Sequence, residues 1–189
     1  RFSDVVTYLT NLMTNELSAY YLDYTKDILY IEKEDAPVRR QVQTVLYNAV
    51  EVMTKLWAPI LAHTCEEVND YMHFDAESIH LTTFKDLELD FDADKIKADM
   101  EELFKVRKDV FKALENARAE GLIGKSLEAH VVLHVSDAQK EIMDRVLNNA
   151  AQWFIVSKVT FTTDELEQFD VCQVKVEMAT GHVCPRCWN

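Results

Sequence analysis

Leu114-Glu115-Asn116-Ala117-Arg118-Ala119-Glu120-Gly121-Leu122-Ile123-Gly124-Lys125-Ser126-Leu127-Glu128-Ala129-His130-Val131-Val132-Leu133-His134-Val135 changes its hydrophobic period part-way along. Before Gly121 the apolar side chains recur every three or four residues, the stripe of an amphipathic helix. After Gly124, Leu127, Ala129, Val131, Leu133 and Val135 alternate with Glu128, His130, Val132 and His134, the period of two expected of a half-buried strand. Gly121 suits the C′ position that closes a helix. The fold class therefore switches here, from all-α upstream to α+β downstream.

Upstream there is no glycine: Gly121, Gly124 and Gly181 all fall after the first 120 of the 189 residues. The helix ending at Gly121 is expected from about Asp94 to Glu120, on Ile96, Met100, Leu103, Phe104, Val110, Phe111, Leu114 and Ala117. A long helix is also expected from Val5 to Ile31, on Val5, Leu9, Leu12, Met13, Leu17, Tyr20, Tyr21, Tyr24, Ile28 and Ile31. Pro37 interrupts it, and a second run (Val38, Val42, Val45, Leu46, Ala49, Val52, Met53, Leu56) stops near Pro59. Thr64-Cys65-Glu66-Glu67 has capping-box spacing and predicts a short helix towards Tyr71 and Met72. Residues 73 to 92 lose periodicity and read as a connector. Downstream, a helix is expected over 137–150 and strands over 153–163 and 171–178. The chain is thus mainly α: an antiparallel helix bundle over 1–122, then a small α+β domain over 123–189.

Six glycines and prolines in total exclude collagen-like, linker-rich and disordered chains, and argue against a turn-dense β-sandwich. No apolar run reaches about 18 residues, so no membrane span is expected. Arg1-Phe2-Ser3-Asp4 lacks an initiator Met and a secretory pattern and reads as the start of an excised fragment. Four cysteines without a secretory signal are expected to be reduced thiols of a cytoplasmic protein. The 33 acids against 20 bases, a net charge of −13, disfavour a stand-alone nucleic-acid binder.

Cys184-Pro185-Arg186-Cys187 supplies two thiolates to a tetrahedral zinc, half of the four ligands a structural site needs. A redox dithiol or a tail without a role are the other readings. Cys172, inside a strand pattern, is expected to be a small buried hydrophobe. His130 and His134, on one strand face, would lie roughly 13 Å apart, too far to share an ion. His63, His73 and His80 are expected at the surface or at helix ends. Phosphate-binding candidates are Arg39, Arg40, Lys26 and Lys55. Lys105, Lys108 and Lys112 share a helix face, but Glu101 and Glu115 are interleaved with them, and a salt-bridged surface explains that row equally. Arg186 and Trp188 pair a guanidinium with an indole that could stack on an unpaired base. Tyr20, Tyr21 and Tyr24 are expected in the core, and Trp57 in packing. No catalytic constellation occurs. Gly124-Lys125-Ser126 matches only the end of a phosphate-binding loop and is expected to be a helix-to-strand connector.

Several segments together carry a family resemblance. Tyr21-Leu22-Asp23-Tyr24-Thr25-Lys26-Asp27-Ile28-Leu29-Tyr30 resembles the first anticodon-domain helix of class I aminoacyl-tRNA synthetases. Gln43-Thr44-Val45-Leu46-Tyr47 and Leu56-Trp57-Ala58-Pro59-Ile60-Leu61-Ala62-His63-Thr64-Cys65-Glu66-Glu67-Val68 resemble the second helix and the turn after it. Gly124-Lys125-Ser126-Leu127-Glu128-Ala129, Phe154-Ile155-Val156-Ser157-Lys158-Val159 and the terminal cysteine segment narrow the likeness to the bacterial isoleucyl-tRNA synthetase family. Departures are Ile28, where the family often has Arg, Ala62, where it often has Pro, and Asn69, where Trp is common. The resemblance implies a C-terminal, tRNA-binding region holding the anticodon stem-loop of isoleucine tRNA, without catalysis of its own. It implies a monomeric parent that joins isoleucine to tRNA with ATP and Mg, through catalytic and editing domains absent from these residues. It also implies a zinc module, onto which only Cys184 and Cys187 map. A helical protein-interaction module with a metal-stabilised C-terminus is the alternative reading of the same residues.

Overall fold

The computed structural model describes residues 1–74, 76–84, 91–147 and 149–182. The chain packs as two compact units, Arg1–Glu88 and Leu89–Asn189. It is mainly α, with one small mixed sheet.

The first unit opens with α1 (Phe2–Asn11), which passes through a π-helical stretch, Leu12–Leu22, into α2 (Asp23–Ile31). The expected single helix is therefore helical throughout but wider in its middle third, with an altered repeat. Thr14 and Thr25 donate their hydroxyls back to the carbonyls of Thr10 and Tyr21, at 2.9 and 2.7 Å. Pro37, whose missing N–H is no loss at a first helical position, starts α3 (Pro37–Trp57). α3 stops two residues before Pro59, and the Ile60 and Leu61 N–H groups turn back onto the Trp57 carbonyl.

Then α4 (Ala62–Met72) begins earlier than the Thr64 spacing predicts. Leu61 takes the N-cap position without a side-chain cap, and Thr64 lies inside the first turn. Glu66, next to the Glu67 of that spacing, accepts from Ser78 Oγ at 3.1 Å and Ile79 N at 3.2 Å, tying α4 to the loop that follows. That loop carries a 3₁₀ turn at Ile79–Leu81. The core here is Ala58, Cys65, Phe74 and Ile79, with Val50, Trp57, Val68 and Met72 against it. Trp57 is packing, as expected. Tyr20, Tyr21 and Tyr24 are half-buried rather than core, and burial pushes the phenols of Tyr21 and Tyr24 above their ordinary range.

In the second unit α5 (Ala93–Ala119) buries Leu103, Val106, Val110, Ala113, Leu114 and Ala117. Asp92 caps its start by accepting from Lys95 N at 3.0 Å. At its end Gly121, φ +74°, lets the N–H groups of Gly121 and Leu122 reach the carbonyls of Arg118 and Ala117, at 3.1 and 2.9 Å. That is a Schellman closure. Glu128 then accepts from Gly124 N at 2.7 Å and Lys125 N at 3.2 Å, bracing the turn into the sheet. Those two donors hold its carboxyl below the ordinary range.

The strands are β1 (Ala129–His134), β2 (Lys158–Phe161) and β3 (Gln173–Met178), ordered β2-β1-β3. β1 runs parallel to β2 (Val131 opposite Val159) and antiparallel to β3 (Val131 opposite Val176). Ala129, Val131 and Leu133 are fully buried, confirming the period of two. Between β1 and β2 lie α6 (Asp137–Val146) and α7 (Ala150–Phe154). Ser136 and Gln139 form a reciprocal capping box at the start of α6. The 137–150 helix thus ends sooner than expected, and the strand expected from 153 begins only at Lys158. Asn149 caps α7 on the N–H groups of Ala151 and Gln152, and Ile155, φ +56°, closes it.

Candidate nucleic-acid interface

The first unit brings two of the four phosphate-binding candidates together at the α2–α3 turn. Residues 32–36 join antiparallel neighbours, so the start of α3 lies beside the end of α2. Arg39 Nη1 donates to the Glu32 carbonyl at 3.2 Å, while its buried Nε has no hydrogen-bond partner among the described residues. Arg40 is exposed, donates to Gln43 Oε1 at 3.3 Å and faces Glu34 at 3.9 Å. That separation leaves a weak, solvent-screened pair.

Tyr30, in the last turn of α2, is 84 % exposed. Sequence reasoning places it only in the family-like segment, yet a bare phenol ring two residues before the loop that leads to Arg39 and Arg40 is a group able to stack on an unpaired base. Its signal was available: Tyr30 falls off the Tyr24, Ile28, Ile31 stripe.

Lys26 and Lys55 do not join this group. Lys26 Nζ sits 2.6 Å from Asp23, whose hydrogen bond raises the ammonium above its ordinary range. Lys55 Nζ is 2.6 Å from Glu51 with a side chain only 14 % exposed, at the opposite end of α3. Sixteen residues of helix separate it from Arg39, about 24 Å. Of the α5 row in the second unit, Lys105 pairs with Glu102 at 2.6 Å, Lys108 with Asp170 at 3.4 Å, and Lys112 lies over the Phe169 ring. Lys105 is thus held mainly by Glu102, with a smaller attraction from the interleaved Glu101, and Lys108 by Asp170 from beyond the helix.

Arg186, Trp188, Cys184 and Cys187 lie outside the described residues. Among those described, no group of three or more His, Cys, Asp or Glu is placed to hold a metal. Cys172 is buried against Asp109, and burial with that carboxylate pushes its thiol up to about 12. A thiol so firmly protonated is a small hydrophobe, as its strand position suggests, and a poor thiolate ligand. Cys65 is likewise buried, its thiol raised by desolvation. His130 and His134 are more engaged than exposed strand residues: their ring nitrogens lie 2.7 Å from Thr160 Oγ1 and 2.8 Å from the Asp164 carbonyl. His63, His73 and His80 are exposed, as expected, with His73 in the left-handed cap of α4.

The model of the anticodon-binding domain of tRNA ligases matches residues 1–133. The chain belongs to that family. Its sequence is 41 % identical over 190 residues to the isoleucine–tRNA ligase of Lactobacillus johnsonii, covering 98 % of the chain and 20 % of the relative. It is 40 % identical to the isoleucine–tRNA ligases of Listeria innocua (98 % of the chain, 21 % of the relative) and Exiguobacterium sibiricum (100 % and 21 %). The chain spans about a fifth of the length of the curated relatives it matches. The family departures fit the fold: Ile28 is buried core, and Ala62 opens α4 where a proline is equally at home. Among the described residues no helix is long and apolar enough to cross a membrane.

Proposed function

We propose that the chain is the anticodon stem-loop binding region of an isoleucine–tRNA ligase and is itself non-catalytic. The observation that carries this reading is the match to the tRNA-ligase anticodon-binding family over 1–133, with relatives named isoleucine–tRNA ligase. The α2–α3 turn supports it with a surface of the right chemistry: Arg39 and Arg40 for phosphates and Tyr30 for an unpaired base. The parent enzyme joins isoleucine to its tRNA with ATP and Mg, works as a cytoplasmic monomer, and binds zinc. Cys184 and Cys187, on their C-x-x-C spacing, would supply two of that zinc's ligands.

The test is filter binding of isoleucine tRNA by the chain and by Arg39→Glu/Arg40→Glu. The reading expects weak, strongly salt-dependent binding that the double reversal weakens further, about tenfold or more, since each lost phosphate contact removes its share of counterion release. Equal affinity of the two proteins for tRNA at several salt concentrations contradicts it.

A second reading, a helical protein-interaction module with a metal-stabilised C-terminus, is favoured by one observation. Phe2, Val5, Val6 and Tyr8 of α1 are exposed, leaving Leu9 as the buried residue of that helix. It expects a homodimer at micromolar concentration in sedimentation; a monomer with tRNA affinity speaks against it.

A further inference from the structure

The sheet of the second unit turns its two faces to different surroundings. Ala129, Val131, Leu133 and Val174 point to the buried side. On the other side the register builds two rows across β2, β1 and β3: Lys158–His130–Glu177, then Thr160–Val132–Lys175. The next position is closed. His134 Nδ1 meets the Asp164 carbonyl at 2.8 Å and Leu166 N donates to Gln173 Oε1 at 2.7 Å, so the β2–β3 connection covers that end.

The two open rows carry a local excess of positive charge. Residues 89–189 hold 18 acids against 13 Lys and Arg. The open rows carry two exposed ammoniums and an imidazole around one carboxylate. Lys158 and Thr160 are exposed, and the side chains of Lys175 and Glu177 are 58 % and 41 % exposed. Two strands apart and one row offset, Lys158 and Lys175 stand on a diagonal of roughly 12 Å across the sheet. Between them His130 Nε2 lies 2.7 Å from Thr160 Oγ1, and its Nδ1 lies 3.6 Å from Glu177. Lys175 Nζ is 2.8 Å from the same carboxylate. Cations spaced across the open rows, with the Thr160 hydroxyl on the strand of Lys158 and in the row of Lys175, match the repeating charge and acceptor oxygens of a nucleic-acid backbone.

We propose that the open half of this sheet is a second tRNA contact, in which Lys158 and Lys175 bind backbone phosphates and Thr160 donates alongside them. Glu177 is the internal competitor that holds Lys175 when RNA is absent. This rests on the reading that the chain binds tRNA and extends it to a surface separate from Arg39 and Arg40.

The experiment is filter binding of an isoleucine tRNA transcript by the whole chain over a range of salt. Lys158→Glu/Lys175→Glu is expected to weaken binding about tenfold or more, and each single Lys→Ala to lower the salt slope by about 0.7–0.9. Glu177→Gln is expected to tighten binding several-fold, because it frees Lys175. A purely structural role for these residues would not give opposite signs. Should the double reversal melt early, the single Lys→Ala variants and Glu177→Gln carry the test alone. Unchanged affinity and slope in all of them, with binding still weakened by Arg39→Glu/Arg40→Glu, overturns this proposal and leaves the first standing. No tRNA binding by the unaltered chain overturns both.

Discussion

Asp109 is 1 % exposed in α5, yet its carboxylate is satisfied: Oδ2 accepts from Val171 N at 2.7 Å and Cys172 N at 3.2 Å. It anchors the turn that leads into β3. Asp109→Ala strands the buried Cys172 N–H and the half-buried Val171 N–H and is expected to destabilise the second unit by about 2–3 kcal/mol, read from chemical denaturation. Glu128 does similar work at the surface, and its effect depends on pH. Its carboxyl lies below the ordinary value of 4.5 in the folded chain. Its contribution is therefore complete above the unfolded pKa and lost as pH falls through the lower folded one. Denaturation midpoints between pH 7 and 3 should fall less for Glu128→Gln than for the unaltered chain; parallel profiles would exclude the role. Asp109 was invisible in the sequence, because an acid among Val106, Val110 and Ala113 looks like an interruption of the stripe until its partners, some sixty residues on, are placed. Asn69 is similar: buried, it donates Nδ2 to the Ala76 carbonyl at 3.3 Å, and nothing local announces that bond.

At the scale of elements, the legible features were those whose cause is local. The Gly121 closure follows from one residue able to hold a positive φ. Gly121→Ala keeps the space, since nothing lies within 4 Å of a Cβ there, but strains the backbone. It should cost about 1 kcal/mol or more, measured as a lowered melting temperature. β1 was legible because one face is buried and the other is not. α7 was not: Trp153, Phe154 and Val156 are all buried, so periodicity is lost and the run reads equally as strand or helix. Asn149 decides it, by capping two N–H groups; Asn149→Ala should destabilise by about 1 kcal/mol, read from the same melting curves. The Thr64 spacing misled. The helix starts earlier, from Leu61, so Thr64 sits inside the first turn and cannot cap it.

Over the whole molecule, composition predicted the architecture better than it predicted the binding surface. The absence of glycine before Gly121 and the long apolar stripes correctly specify a mainly helical chain. The charge of −13 spoke against nucleic acid, but net charge averages over the entire surface. Lys26, Lys55 and Lys105 each sit 2.6 Å from a carboxylate and Lys108 sits 3.4 Å from one, whereas Arg39 and Arg40 share the α2–α3 turn with only the loose Arg40–Glu34 pair at 3.9 Å. Which cations were neutralised could not be read from spacing alone, because partners such as Asp170 for Lys108 lie far along the chain. The most direct test is fluorescence anisotropy of the chain with the labelled anticodon stem-loop of isoleucine tRNA and with the same stem-loop carrying a substituted anticodon. Tighter binding of the isoleucine sequence, with affinity falling steeply as salt rises, is the predicted result. Equal binding of both stem-loops at every salt concentration would contradict the assignment.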